Sequence, residues 1–414
     1  MIGFSRTSHE LVCDGVPLSS IADREGTPTY VYSAAVLRDR YRALDVAFGD
    51  YPHRVHYALK ANSTLAIVRL LRDLGSAADA NSIWEIELAQ QAGFGPSDLV
   101  FTGVGKSAAE LERAVPLGLK AINVESLGEL ARVEAIAARL GLVARVAWRI
   151  NPDIDAKSHP HISTGLKINK FGIALEDVRE LMATIAARPS LKLVAVHVHV
   201  GSQITTTEPL ERAGAFVAGL VPELRSRGVA LEYVDLGGGL GISYDGREVP
   251  TAADYVGVLL TAVRPTGLPI VIEPGRSIVG PSGVLLARVI DLKPRTGDSD
   301  FAVLDAGMAE LMRPSLYGAY HRIDRVREAD VPVRQYEFVG PVCESSDVVG
   351  RDRMVSELQV GELVSIADAG AYGAAMASNY NRRPLPAEVL VDGGTWRVIR
   401  RRQTIADMTS LESV

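Results

Sequence analysis

Between residues 54 and 275 the sequence repeats one rhythm, a short β-branched or apolar run followed by an Ala/Leu/Glu-rich amphipathic stretch. Eight runs set the beat: "RVHYALKAN" (54–62), "GSAADANS" (75–82), "DLVFTGVG" (98–105), "AINVES" (121–126), "RVAWRIN" (145–151), "AVHVHVGS" (195–202), "YVDLGGG" (233–239) and "IVIEPG" (270–275). The stretches between them, such as "TLAIVRLLRDL" and "SLGELARVEAIAARLG", repeat apolar residues at helix period, and several end in Gly or Pro stop signals. Strands alternating with helices must run parallel, because each crossover returns the chain to the same edge. Eight such units predict an α/β fold of the closed (β/α)8, TIM-barrel type, with a doubly wound open sheet as the competing arrangement.

After about residue 280 the pattern changes to strand-like runs with few helical signals: "GVLLARVIDLKP", "DFAVLDAGM", "YEFVGPV", "ELVSIADAGAY" and "AEVLVDGGTWRVIRR". The expected division is a barrel over residues 30–280 and a mainly-β carboxy-terminal domain over 281–414, completed by residues 1–29 with their "HELVCDGVPLSSIA". With 414 residues, 47% of them hydrophobic, there is material for two or three domains.

Charge narrows the partners. A formal net charge of −6 and a pI near 5.8 argue against a nucleic-acid surface, which needs clustered excess Lys and Arg. Two cysteines far apart, Cys13 and Cys343, make neither a metal-ligand spacing nor a disulfide framework. Nothing at the amino terminus reads as an export signal, and no apolar stretch is long enough to span a bilayer, so a cytoplasmic protein is expected.

Chemically distinctive residues cluster at the carboxyl ends of the expected strands: Lys60, Asp79, His199 with Ser202, Gly237 to Gly239, and Glu273 to Arg276. In a (β/α)8 barrel these ends form one mouth. "DLGGGLGISY" (235–244) bares backbone N–H groups that suit an anion, although its spacing matches neither a P-loop nor a dinucleotide fingerprint. "IEPGRS" (272–277) is a second glycine turn, with Glu273 at a strand end. In "HVHVGSQ" strand alternation turns His197 and His199 to the same face. For any single histidine a place in the core is the commoner explanation, but His199 next to the Gly201–Ser202 corner is the better candidate to stack on a flat ring.

An anion cradle, a carboxylate, an imidazole and a strand-end lysine are the parts that pyridoxal phosphate requires. The lysine amine forms a Schiff base, N–H groups hold the phosphate, and the carboxylate keeps the pyridine nitrogen protonated. Lys60 ends the apolar run "VHYALKANST", where an ammonium is expected to be desolvated unless it is converted to an imine.

"YALKAN", "NPDIDAKSHPHISTGLKINKFGI", "HVHVGSQI", "LGGGLGI", "EPGRS", "DAGM", "RPSLYGAYHRI", "GPVCESSD" and "DAGAYG" stand in an order and spacing that resembles the diaminopimelate decarboxylases, of the alanine-racemase-like class of pyridoxal-phosphate enzymes. The resemblance runs from about residue 26 to the "RRRQT" tail. It implies decarboxylation of meso-2,6-diaminopimelate to L-lysine by a barrel plus a carboxy-terminal β domain, assembled as a homodimer with shared sites.

Carried over by position, Lys60 is implied as the Schiff-base lysine and His199 as the residue stacked on the ring. Asp79, Ser202, Gly238, Gly239, Gly275 and Arg276 are implied on the cofactor, with Glu273 facing the pyridine nitrogen and Tyr372 contacting phosphate and substrate. Arg276, Arg313 and Tyr317 are implied for the substrate's distal carboxylate. Cys343 and Glu344 are implied from the other subunit, Glu344 taking the distal ammonium and Cys343 acting near the reacting carbon. No metal is implied. Two planar arginine forks and one carboxylate suit a zwitterionic distal end, which a diamine-forming decarboxylase has no use for. By itself, "RPSLYGAYH" leaves Arg313 open to a surface ion pair, and Cys343 to an ordinary buried thiol.

One departure from the family pattern is Ile83–Trp84 after "DANS", where small residues or glycine are the rule; Trp84 is expected to narrow the mouth and bear on substrate size. The alternatives are an amino-acid racemase, a decarboxylase acting on ornithine, lysine, carboxynorspermidine or a carrier-bound aminoacyl group, and a non-catalytic cofactor-binding paralogue.

Overall fold

The computed structural model describes residues 3–155, 164–165 and 169–413. They fall into two compact units, residues 41–242 with 248–277, and residues 1–40, 243–247 and 278–414. Part of the long motif between Asn151 and Ile173, residues 156–163 and 166–168, lies outside the described residues.

In the first unit each of the eight expected runs holds one strand: β1 (His53–Ala58), β2 (Ala77–Ala80), β3 (Leu99–Phe101), β4 (Ala121–Val124), β5 (Ala144–Arg149), β6 (Leu191–His197), β7 (Tyr233–Asp235) and β8 (Ile270–Ile272). All neighbours pair in parallel, and β8 returns to β1 with Ile270 opposite His53, so the sheet closes into a barrel and the open arrangement is ruled out. A cluster of Val100, Ala121, Ala147, Val194, Ala195, Tyr233 and Val271 packs within the strands. Small side chains dominate it because the converging strands of an eight-stranded barrel leave little room.

The helices begin where the sequence offers caps. Ser82, Ser107, Ser126 and Thr251 each accept a hydrogen bond from the backbone N–H three residues on, and Ser107 with Glu110 and Thr251 with Asp254 complete capping boxes. Gly93 and Gly141 end two of them in the left-handed conformation. Each cap contributes about 1 kcal/mol and fixes where a loop at the mouth turns into helix.

The second unit is mainly β. Strands Phe4–Arg6, Leu11–Cys13 and Val16–Pro17 form a small antiparallel sheet. A nine-stranded sheet runs in the order Val348–Ser356, Val333–Val339, Asp300–Leu304, Gly283–Lys293, Thr29–Ser33, Ala387–Asp392, Thr395–Arg400, with Leu363–Ile366 and Ile323–Arg325 joined through Gly283–Lys293. Thr29–Ser33 sits in the middle, antiparallel to Gly283–Lys293 and parallel to Ala387–Asp392. Leu11, Cys13, Leu18, Ile21 and Val31 share one core with Val284, Leu286, Val326, Val389 and Val391, so the amino-terminal segment packs against this sheet. Among the described residues no helix is long and apolar enough to cross a membrane.

Candidate active site

The barrel unit gathers titratable groups at the carboxyl ends of its strands. Lys60 lies in a 3-10 turn, Leu59–Ala61, directly after β1. Register sets Ala58 opposite Asp79 of β2, two residues short of Lys60, and the lysine Nζ meets Asp79 Oδ2 at 3.0 Å. Asp79 is fully buried while the Lys60 side chain keeps 35% of its surface. The apolar run led to the expectation of a desolvated amine; a buried carboxylate on the next strand meets it instead, because strand pairing brings in a residue that the run does not contain.

At the ends of β6, β7 and β8, His197, Asp235 and Glu273 bring ligand-type atoms within 4.8 Å of one another, and all three are buried. His197 Nε2 lies 3.2 Å from Glu273 Oε2. Burial alone would raise Glu273, but the charge and hydrogen bond of His197, with the Lys60 charge beyond, outweigh it and hold the carboxyl well below its usual range. Asp235 moves the other way: burial first, then the neighbouring Glu273 charge, push it well above the carboxylate range. Two carboxyls this close divide their roles, Glu273 ionised and Asp235 protonated. Glu273 Oε1 is buried and accepts no N–H among the described residues.

His199 follows β6 by two residues, and its Nδ1 accepts the Gly238 N–H at 3.1 Å, which leaves the ring proton on Nε2. Burial, followed by the Lys60 and Arg149 charges, pushes its pKa well below the usual value, so the imidazole is neutral. Gly238 is required by close approach, since a Cβ there would sit 2.3 Å from the Glu273 carbonyl oxygen. Gly239 has φ +114°, a conformation open to glycine. On the far side of the turn, Arg276 is buried and its Nη2 donates to Ser202 Oγ at 3.0 Å. Gly275 packs against Ala61, and Ala58 N–H donates to Pro274 O at 3.1 Å, so the Lys60 turn and the Glu273–Arg276 turn lie side by side.

Within the β unit, Arg313 opens the short helix Arg313–Tyr317 and is buried, which removes the surface ion pair as an explanation of it. Its Nη1 lies 2.7 Å from His321 Nε2, and its guanidinium carbon sits 4.6 Å from the Tyr244 ring centre. Tyr317 and Tyr372 are half-buried, Tyr372 with φ +56°. Cys343 and Glu344 are exposed on a loop, so Cys343 is not a buried core thiol. Cys343 N–H donates to Asn381 Oδ1 at 3.0 Å, and Tyr380 donates to Glu344 Oε2 at 3.2 Å.

Several residues that shape these places carry little signal in the sequence. Asp235 stands just before the glycines, and its strand-end position was the available signal. Asp347, the last residue of "CESSD", is buried and accepts from Met308 N–H at 2.6 Å and Val342 N–H at 2.9 Å, pinning the Cys343 loop. Glu125 and Arg149, at the ends of β4 and β5, pair at 2.8 Å with both side chains buried. Trp84, expected to narrow the mouth, stands 66% exposed in the first turn of the helix Ile83–Ala92, whereas Ile83 is buried.

Residues 34–280 match the family model described as pyridoxal-dependent decarboxylase, pyridoxal binding domain. The chain is 45% identical to the diaminopimelate decarboxylase of Pseudomonas aeruginosa over 99% of both chains, and 44% identical to that of Neisseria meningitidis serogroup A over 97% of this chain and 98% of the relative. It is also similar to the crystal structure of diaminopimelate decarboxylase from Helicobacter pylori complexed with L-lysine, with 42% identity, a TM-score of 0.92 and coverage of 95% and 98%. A closed parallel barrel with lysine, histidine and carboxylates at its strand ends, carried on a chain this similar over nearly its whole length, belongs to the diaminopimelate decarboxylase family of pyridoxal-dependent decarboxylases.

Proposed function

We propose that this chain binds pyridoxal 5'-phosphate and decarboxylates meso-2,6-diaminopimelate to L-lysine and carbon dioxide, the closing reaction of lysine synthesis, as a cytoplasmic homodimer. The observation that carries the reading is the near-full-length likeness to an enzyme solved with L-lysine, the compound left when diaminopimelate loses one carboxyl.

The residues present fit the cofactor. Glu273 Oε1, a buried oxygen of an ionised carboxylate that takes no N–H among the described residues, is the acceptor that a protonated ring nitrogen needs. Gly238 and Gly239 let the backbone come close to an anion, and Ser202, Gly275 and Arg276 belong to the adjoining turns that these glycines pack against. Lys60 supplies the amine, with Asp79 orienting its Nζ, and His199 supplies a neutral ring; Tyr372 is assigned to the phosphate. When bound, the cofactor supplies an electron-withdrawing ring that accepts the electron pair left by the departing carboxyl.

The rest of the work falls to the side chains. Glu273 stays ionised because His197 donates to it, so it can hold a proton on the ring nitrogen throughout the reaction. His199 is kept neutral and adds no positive charge beside Lys60. Arg313 and Tyr317 are assigned to the distal carboxylate, a group found in diaminopimelate and absent from the side chains of lysine and ornithine; binding it fixes which α-carboxyl is presented for loss. Exposure of Cys343 and Glu344 on a pinned loop supports their assignment to a partner subunit, Glu344 for the distal ammonium and Cys343 for the proton returned to the reacting carbon.

The test is purified protein with pyridoxal phosphate and meso-diaminopimelate, following lysine and carbon dioxide together. One carbon dioxide per lysine is expected. Epimerised substrate without gas would make the chain a racemase, and faster turnover of ornithine or lysine would move it to the diamine-forming enzymes.

A further inference from the structure

His321 is buried in the β unit with no role in the chemistry assigned so far. It lies eight residues after Arg313, beyond the turn at Gly318 that closes the short helix. Its two ring nitrogens make different bonds. Nε2 lies 2.7 Å from Arg313 Nη1, and Nδ1 lies 2.8 Å from the carbonyl oxygen of Ala367. A guanidinium nitrogen only donates and a carbonyl oxygen only accepts, so both contacts are satisfied by a single form: neutral imidazole with its proton on Nδ1 and its lone pair on Nε2. The backbone holds the ring in that pose, because Ala367 N–H donates in turn to Arg322 O at 2.8 Å. Tyr244 completes the setting, its ring beneath the Arg313 guanidinium carbon at 4.6 Å and edge-on to His321 at 5.2 Å.

From this geometry we infer that His321 is a positioning residue for substrate recognition: as the Nδ1-protonated neutral tautomer it fixes the plane of the Arg313 guanidinium, and with it affinity for a ligand carrying an amino-acid carboxylate at the distal position. The inference rests on the assignment of Arg313 to that carboxylate. A planar fork recognises a carboxylate only in a narrow range of orientations, so a rotation of the guanidinium costs binding before it costs the reaction.

Two conservative variants separate positioning from mere support. His321→Gln places an acceptor near the Nε2 position and gives up the bond to Ala367, whereas His321→Asn keeps a donor for Ala367 and gives up the acceptor for Arg313. L-lysine binding to the pyridoxal-phosphate-loaded protein is measured by calorimetry, together with steady-state kinetics on meso-diaminopimelate and thermal midpoints, with Arg313→Ala as control. Loss of an acceptor for a charged group predicts that His321→Asn weakens lysine binding and raises KM about tenfold while kcat stays within about twofold. His321→Gln is expected to stay within about threefold of the parent in affinity although its thermal midpoint falls further. Lysine binding by His321→Asn at parental strength, or equal losses in the two variants, overturns the positioning role. If Arg313→Ala itself binds lysine normally, the assignment of Arg313 is what fails.

Discussion

Replacing Lys106 with methionine removes the cation paired with a buried carboxylate, Glu129. Lys106 Nζ donates to Gly103 O at 2.8 Å, to Asn123 O at 2.7 Å and to Glu129 at 2.7 Å, and both charged side chains are 1% exposed. Burial pushes Lys106 down and Glu129 up, and their mutual attraction opposes both shifts. In Lys106→Met burial and the Glu125 charge, which both raise the carboxyl, are opposed only by a backbone hydrogen bond from Glu125, so the expected outcome is a folded variant with Glu129 protonated at neutral pH. Its unfolded value is the ordinary 4.5. Holding the proton at pH 7 then costs 2.5 units, about 3.4 kcal/mol, and at pH 5 half a unit, about 0.7 kcal/mol. The first figure agrees with the 3–5 kcal/mol typical of breaking a buried pair. Because the folded pKa lies above the unfolded one, the deficit grows as pH rises from 4.5 and disappears below it. Urea unfolding of variant and parent at pH 5 and pH 7 gives the two differences directly. Lys106→Met/Glu129→Leu, which removes both charges, should recover most of the loss at pH 7. A deficit independent of pH, or a double variant no more stable than the single, would refute this account of the pair.

Other groups give equally direct outcomes. Burial, then the Lys120 charge, lower His56 to about 3, so between pH 6.5 and 3 the unfolded chain takes up a proton that the folded one refuses. Stability should fall by about 1.4 kcal/mol per pH unit from this residue alone as pH drops through that window, and His56→Asn should flatten the acid side of a plot of thermal midpoint against pH by one proton. Asp347→Ala leaves the Met308 and Val342 N–H groups without their acceptor, which should cost about 2 kcal/mol in urea unfolding and lower kcat, because the loop bearing Cys343 and Glu344 loses its anchor.

The barrel was legible because its strands are short apolar runs that stop at polar residues, and four of the helices that follow advertise their starts with Ser82, Ser107, Ser126 and Thr251. Lys60, Asp79, His199, Glu273 and Arg276 could be named for the same reason, each being the odd polar residue at the end of such a run. What one run cannot reveal is its neighbour. The Lys60–Asp79 contact follows from the register of β1 and β2, and the His197–Asp235–Glu273 cluster requires β6, β7 and β8 to stand side by side. Asp347 and His321 escaped notice for a related reason, since their work is done through backbone groups and a guanidinium that fold up against them. Thr29–Ser33 reads locally like any barrel strand, yet it is paired with strands more than 250 residues further along the chain. Periodicity reports the type of an element and which side is buried, not the sheet it joins.

The measurement closest to the centre is covalent. Protein incubated with pyridoxal phosphate is reduced with borohydride, digested, and its modified peptide sequenced by mass spectrometry. A pyridoxyl group on Lys60 is the predicted result; an adduct on another lysine, or protein that takes up no cofactor, contradicts a cofactor seat at the end of β1.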